Sequence, residues 1–224
     1  MDWRYNTIWF DQIDKNNLFH SNFKDKLISD LNFEDIEYAM TFYYKYKELA
    51  FDALPKSSKL LYLEMNLANF KDLSGIDRFE KLKRLELHYC TKLVTDFNIS
   101  ALKDTLEFLH VNQSKKYTPT AELFQLKNLK VLCLNACGSV DNLKFLSFFP
   151  KLIDFRFVDT NVLDGDLTPI LEHPTIRTVG FLNKRHYNYS EKQMKSELEL
   201  KSTEKYKEYV YKDEYKTYRY NYEN

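Results

Sequence analysis

The sequence predicts an α/β repeat solenoid, a stack of short parallel strands alternating with helical turns. Three observations predict it. Six copies of an apolar-x-x-apolar-x-apolar triplet occupy the middle of the chain: Leu60/Leu63/Met65, Leu82/Leu85/Leu87, Leu106/Leu109/Val111, Leu129/Leu132/Leu134, Leu152/Phe155/Phe157 and Ile176/Val179/Phe181. Their starts lie 22, 24, 23, 23 and 24 residues apart, and self-similarity at a fixed period of that size marks a repeat architecture. The tail of each triplet alternates as a strand does, with Leu85 and Leu87 on one side and Arg84, Glu86 and His88 on the other. Between strands, apolar residues such as Leu73, Ile76 and Phe79, or Leu143, Leu146 and Phe149, recur at helical spacing. One unit of this length cannot bury its own apolar face, so neighbouring units must stack to make the core.

Taken in order, residues 1–58 are expected to form an N-terminal helical cap, because a stack leaves an apolar cross-section bare at each end. Asn32 followed by Asp35 reads as a helix start, and Ile36, Met40, Tyr43, Tyr44, Leu49 and Phe51 continue at near-helical spacing until Pro55. The repeats then run over 59–183. After four of the six strands comes a small or thiol side chain suited to an inward turn: Ala68-Asn69-Phe70, Cys90-Thr-Lys-Leu93, Cys137-Gly-Ser-Val140 and Thr160-Asn161-Val162. The segment Val94 to Lys103 is long for its place and Gln113-Ser-Lys-Lys-Tyr117 lacks a clear inward apolar residue, so a bulge or longer loop is expected there.

Triplet, period and turn residues together resemble the leucine-rich repeat family over about residues 59 to 183. The resemblance implies a right-handed solenoid with a parallel sheet on the concave side and short helices or helical turns on the convex side. The period of 22 to 24 residues is similar to that of the short-repeat branch, found among intracellular adaptors and phosphatase regulators and in bacterial proteins.

Residues 184–224 are expected to form a tyrosine-rich C-terminal cap. Ser190 to Ser202 is charged and suits a helix, whereas Tyr209-Val-Tyr211 and Tyr215-Lys-Thr-Tyr218 suit two strands turning at Asp213-Glu214. Tyrosine, with an apolar ring and a polar tip, serves a half-exposed cap or a partner interface equally well.

The 33 basic residues are matched by 33 acidic ones. With no net charge and no long basic run, nucleic acid and acidic membranes are not expected partners. No segment approaches the roughly 18 uninterrupted apolar residues of a membrane span, and the start Met-Asp-Trp-Arg does not read as a secretory signal. Three cysteines, two of them at inward turn positions, fit a reduced, cytoplasmic setting.

Parallel stacking at about 4.8 Å per strand places equivalent positions in rows. The rows on the concave side are Tyr62, Arg84, Phe108, Val131, Asp154, Thr178; Glu64, Glu86, His110, Cys133, Arg156, Gly180; and Asn66, His88, Asn112, Asn135, Val158, Leu182, flanked by Tyr89, Gln113 and Asp159. From them Tyr62, Glu64, Arg84, Glu86, His88, Tyr89, Phe108, His110, Asn112, Asn135, Asp154, Arg156 and Asp159 are expected to contact a partner protein, since a rigid face lowers the ordering cost of binding. Glu86, His88, His110 and Cys133 are residue types that hold zinc or form a Cys-His pair, so a metal-dependent or cysteine hydrolase is the alternative reading. It is disfavoured: a shallow sheet offers no pocket, and no phosphate loop, dinucleotide-binding turn or His-Glu-x-x-His helix occurs. The expectation is a non-enzymatic binding protein, an inhibitor, immunity or regulatory factor, with no cofactor, no metal and no small-molecule substrate.

Overall fold

The structure, a computed structural model, describes residues 1–24, 33–45, 51–202 and 205–222. Eight strands form one parallel sheet in chain order: β1 (Leu18–Asn22), β2 (Tyr38–Phe42), β3 (Tyr62–Asn66), β4 (Arg84–His88), β5 (Phe108–Asn112), β6 (Val131–Asn135), β7 (Asp154–Arg156) and β8 (Thr178–Gly180). The strands from β3 onward are linked by single 3₁₀ turns, at Ile76–Arg78, Ile99–Leu102, Leu123–Gln125 and Lys144–Phe148, and by the short helix α1 (Thr168–Glu172). One parallel sheet with short helical connections is compatible with a repeat solenoid. No helix among the described residues is long and apolar enough to cross a membrane.

Register follows the expected rows. Leu63, Leu85, Leu109, Leu132, Phe155 and Val179 pair side by side from β3 to β8, and all are buried. Behind them one continuous apolar core extends from Phe33 to Leu198. Each strand from β2 to β6 hands over to a residue in the left-handed region, Tyr43, Leu67, Tyr89, Gln113 and Ala136, with Asp159 at the corresponding place after β7. That conformation is unfavourable for residues with a Cβ. Here it recurs because it tucks the next side chain, Ala68, Cys90, Ser114, Cys137 or Thr160, under the sheet. There Thr160 Oγ1 donates to Leu134 O at 2.6 Å and the Cys137 thiol meets Val111 O at 3.4 Å.

One expectation changes here. The segment from Asn32 to Pro55, anticipated as a helix, holds no helix among its described residues but the strand β2 flanked by turns and irregular chain; Asn32 and Leu49 lie outside the described residues. Tyr38 to Phe42 pairs with Tyr62 to Asn66 on one side and with Leu18 to Asn22 on the other, so two strands of the sheet precede residue 59. The near-helical spacing arises because Ile36 and Tyr44 pack on the core flanking a strand whose Met40 points to the opposite face. The connection after Cys90 carries a buried carboxylate. Buried Asp96 accepts from Tyr117 OH at 3.1 Å and from Thr120 N–H at 3.0 Å, a polar staple that ties this loop to the next one.

At the C-terminal end the helix α2 (Glu191–Lys201) starts at a capping box, in which Gln193 N–H donates to Ser190 Oγ and Ser190 N–H to Gln193 Oε1. It sends Met194 and Leu198 into the main core. The hairpin follows as β9 (Lys207–Lys212) and β10 (Tyr215–Tyr220), turning at Asp213 with φ 53°.

Candidate functional site

Side chains that point away from the core form the polar face of the sheet, and the chain's own ends lie across it. Residues 4–6 run beside β10: Asn6 N–H donates to Tyr218 O at 2.8 Å and Tyr220 N–H to Arg4 O at 3.0 Å. The Arg219 guanidinium, 2.7 Å from Asp2, ties the two ends together. This pair of termini is a cover over β4 to β7.

Two arginines on the sheet receive the cover. The Arg84 guanidinium, stacked 3.8 Å from the Phe108 ring centroid, donates to the carbonyls of Trp3 (2.9 Å), Tyr5 and Asn6 (3.1 Å). Arg156 donates to the hydroxyls of Tyr218 and Tyr220, the latter at 2.8 Å, and Tyr220 OH donates to Asp154 Oδ2 at 2.6 Å. The Tyr220 ring sits among Phe108, Val131 and Cys133. Toward the first strands, Ile8 and Ile13 pack with Tyr38 and Tyr62.

The expectation of an open face is therefore corrected. Tyr62, Arg84, Glu86, Phe108 and Asp154 are buried: the termini cover the Tyr62 and Phe108 rings and bond to Arg84 and Asp154, and Glu86 is enclosed with its partners on the sheet. Arg156 is partly covered, spent on the two tyrosine hydroxyls. Glu64, His88, His110, Asn112 and Asn135 keep partial exposure, Asp159 is exposed, and Tyr89 is 50% exposed. Sequence reasoning missed Asn6, Thr7, Ile8 and Phe10, which wall a cavity of about 430 Å³ between cover and sheet, floored by Glu86, His88 and His110. Their signal, three apolar or aromatic residues in Ile8 to Phe10, was too short to read.

Glu86 is the hub of the polar group. Its Oε1 accepts from Arg84 Nε at 2.7 Å and Tyr62 OH at 3.3 Å; its Oε2 lies 2.9 Å from His88 Nε2 and 3.3 Å from His110 Nδ1. Burial alone would push this carboxyl up, but the Arg84 charge and the histidine hydrogen bonds hold it well below the usual range. His88, penalised by burial but favoured by Glu86 and Glu64, titrates above its ordinary value, whereas burial outweighs Glu86 at His110 and lowers it.

The chain matches no family model and no curated protein.

The ligand atoms of Glu86, His88 and His110 lie within 4.8 Å of one another, close enough to hold a metal ion. A neighbour commits them otherwise. Asn135 Oδ1 accepts Val158 N–H at 3.1 Å, so its amide nitrogen faces His110 Nε2 at 3.0 Å and requires a lone pair there. The His110 proton then sits on Nδ1 and is donated to Glu86, the position a metal would need. Cys133 does not extend this group as a nucleophile: burial under Tyr220 pushes its thiol up to about 12, leaving no thiolate near neutrality.

Proposed function

We propose that this chain is a leucine-rich-repeat solenoid, working in the cytoplasm, that binds another protein without chemistry of its own. The site is the uncovered rim of the concave face. One observation carries the reading: Leu67, Tyr89, Val158 and Leu182 are exposed large apolar side chains along a single edge, just past the ends of strands locked in register, beside Asn66, His88, Asn112, Asn135 and Asp159. Apolar groups held on a rigid frame and edged by polar ones suit a protein partner. The narrower reading is that the partner is a toxin or an enzyme whose working site the rim occludes.

The test uses a partner captured from the source cell by the full chain, titrated against rim variants. Tyr89→Ala should cost about 2 kcal/mol, roughly thirty-fold in affinity, if Tyr89 is a central anchor. Phe97→Ala, an exposed aromatic in the connection before β5, should change nothing. Equal binding by wild type, Tyr89→Ala and Leu182→Ala would sink the rim.

A further inference from the structure

The cover and the repeat core are separate packing units. The main core takes no residue from 1–17 or from 205–222, whereas β1, with Phe19 and Phe23 packed on that core, belongs to the sheet. The cover instead rests on two small clusters of its own, one around Ile8, Tyr38 and Tyr62 and the other around Tyr220. Elements that contribute little buried apolar surface open at lower cost than the body they lie on.

What lies beneath is already organised for a ligand. The Arg84 guanidinium is held from the sheet side by Glu86, and Arg156 by Asp154 at 2.6 Å, each a carboxylate two residues away on the same strand. Each arginine thus has an anchor on its own strand besides its bonds to the cover. Both present further donors outward, Arg84 to main-chain carbonyls and Arg156 to two tyrosine hydroxyls on alternate residues of one strand. Between them Phe108, Val131 and Cys133 make an apolar floor filled by the Tyr220 ring. Fixed cations around an apolar floor form a preorganised surface, and preorganisation lowers the cost of binding.

We propose that the face between β4 and β7 is a second interaction surface, made for an extended protein segment with tyrosines on alternate residues, and that the chain's own hairpin occupies it in cis. The partner is a Tyr-x-Tyr strand of another protein, which takes the place of Tyr218 and Tyr220 when the cover lifts. This surface stands independently of the rim: losing Tyr89 leaves it intact, and locking the cover leaves the rim intact.

Cys133 reports the opening. Full-length chain is alkylated with N-ethylmaleimide in increasing, sub-denaturing urea, and modification is followed at each cysteine by mass spectrometry. Cys133 should react at least ten-fold faster than Cys90, which lies in the main core, and with a weaker dependence on urea. In parallel, a fluorescent synthetic peptide with the sequence of residues 205–222 is titrated against the full chain and against Tyr220→Phe, which keeps the ring and removes the hydroxyl. The peptide should bind saturably, and at least five-fold more tightly to Tyr220→Phe, whose cis cover is weakened. Alkylation of Cys133 only together with Cys90 and Cys137 would show that the cover belongs to the cooperative fold and overturn the proposal. So would fast Cys133 alkylation without peptide binding to either chain, which would reduce the opening to fraying.

Discussion

A buried carboxylate needs a partner on each oxygen, and Glu86 has Arg84 and Tyr62 on one and two histidines on the other. Those histidines titrate in opposite directions from the ordinary 6.5. A histidine whose folded value is raised, as at His88, contributes stability that is complete below about pH 6.5 and lost as pH climbs through the raised value. One whose folded value is lowered, as at His110, costs stability as pH falls below 6.5, because the unfolded chain then binds the proton more tightly. The two substitutions should therefore tilt the stability curve in opposite senses. Relative to wild type, His88→Gln should be most destabilised below pH 6.5 and recover above it, whereas His110→Gln should gain ground as pH falls. Thermal unfolding across pH 5 to 9 measures both; parallel curves for the two variants would mean that Glu86 does not discriminate between the rings.

At the scale of elements, β2 is the sharpest test of how this chain is read. As a strand it buries Ala39 between Phe19 and Leu63 and turns Met40 to the polar face; as a helix it would bury Met40 with Ile36 and Tyr43. Ala39→Asp should cost several kcal/mol by placing an unpaired carboxylate in the core, while Met40→Gln should stay within about 1 kcal/mol. The reverse order in urea unfolding would return this segment to a helix. The strands β3 to β8 were legible because leucine and other large apolar residues fill their inward positions. β1 and β2 were not, because Phe19/Ser21 and Ala39/Thr41 occupy those positions and the small and hydroxyl groups erase the triplet. The polar rows were legible for the same reason as the core rows, since register fixes both. Their covering was not: Arg84, Asp154 and Arg156 read as an open face for a partner protein, and only the folded chain shows Trp3, Asn6 and Tyr220 returning from the two ends of the sequence to meet them.

For the molecule as a whole, the decisive property is the continuity of the core. From Phe33 to Leu198 the buried apolar residues form one cluster that passes through every strand from β2 to β8, so the repeats are expected to unfold together even though each contacts chiefly its neighbours. Leu132 lies in the middle of that cluster, paired with Leu109 and Phe155 and fully buried. Leu132→Ala removes three carbons without room for the sheet to collapse, a loss of about 2–5 kcal/mol. The consequence differs with the extent of cooperativity. If the core is one unit, circular dichroism should show a single urea transition moved to lower concentration, with its slope unchanged because the same surface is exposed. If the stack divides at the weakened unit, the signal should split, with β2 to β4 melting apart from the later strands. Trp3 and Trp9, the two tryptophans of the chain, both lie in the cover, so fluorescence follows the cover while dichroism follows the sheet. A Leu132→Ala variant that shifts the dichroism midpoint and leaves an earlier fluorescence transition where it was would establish two units, a cooperative body and a cover that opens on its own. Coincident shifts in both signals would join cover and body into one.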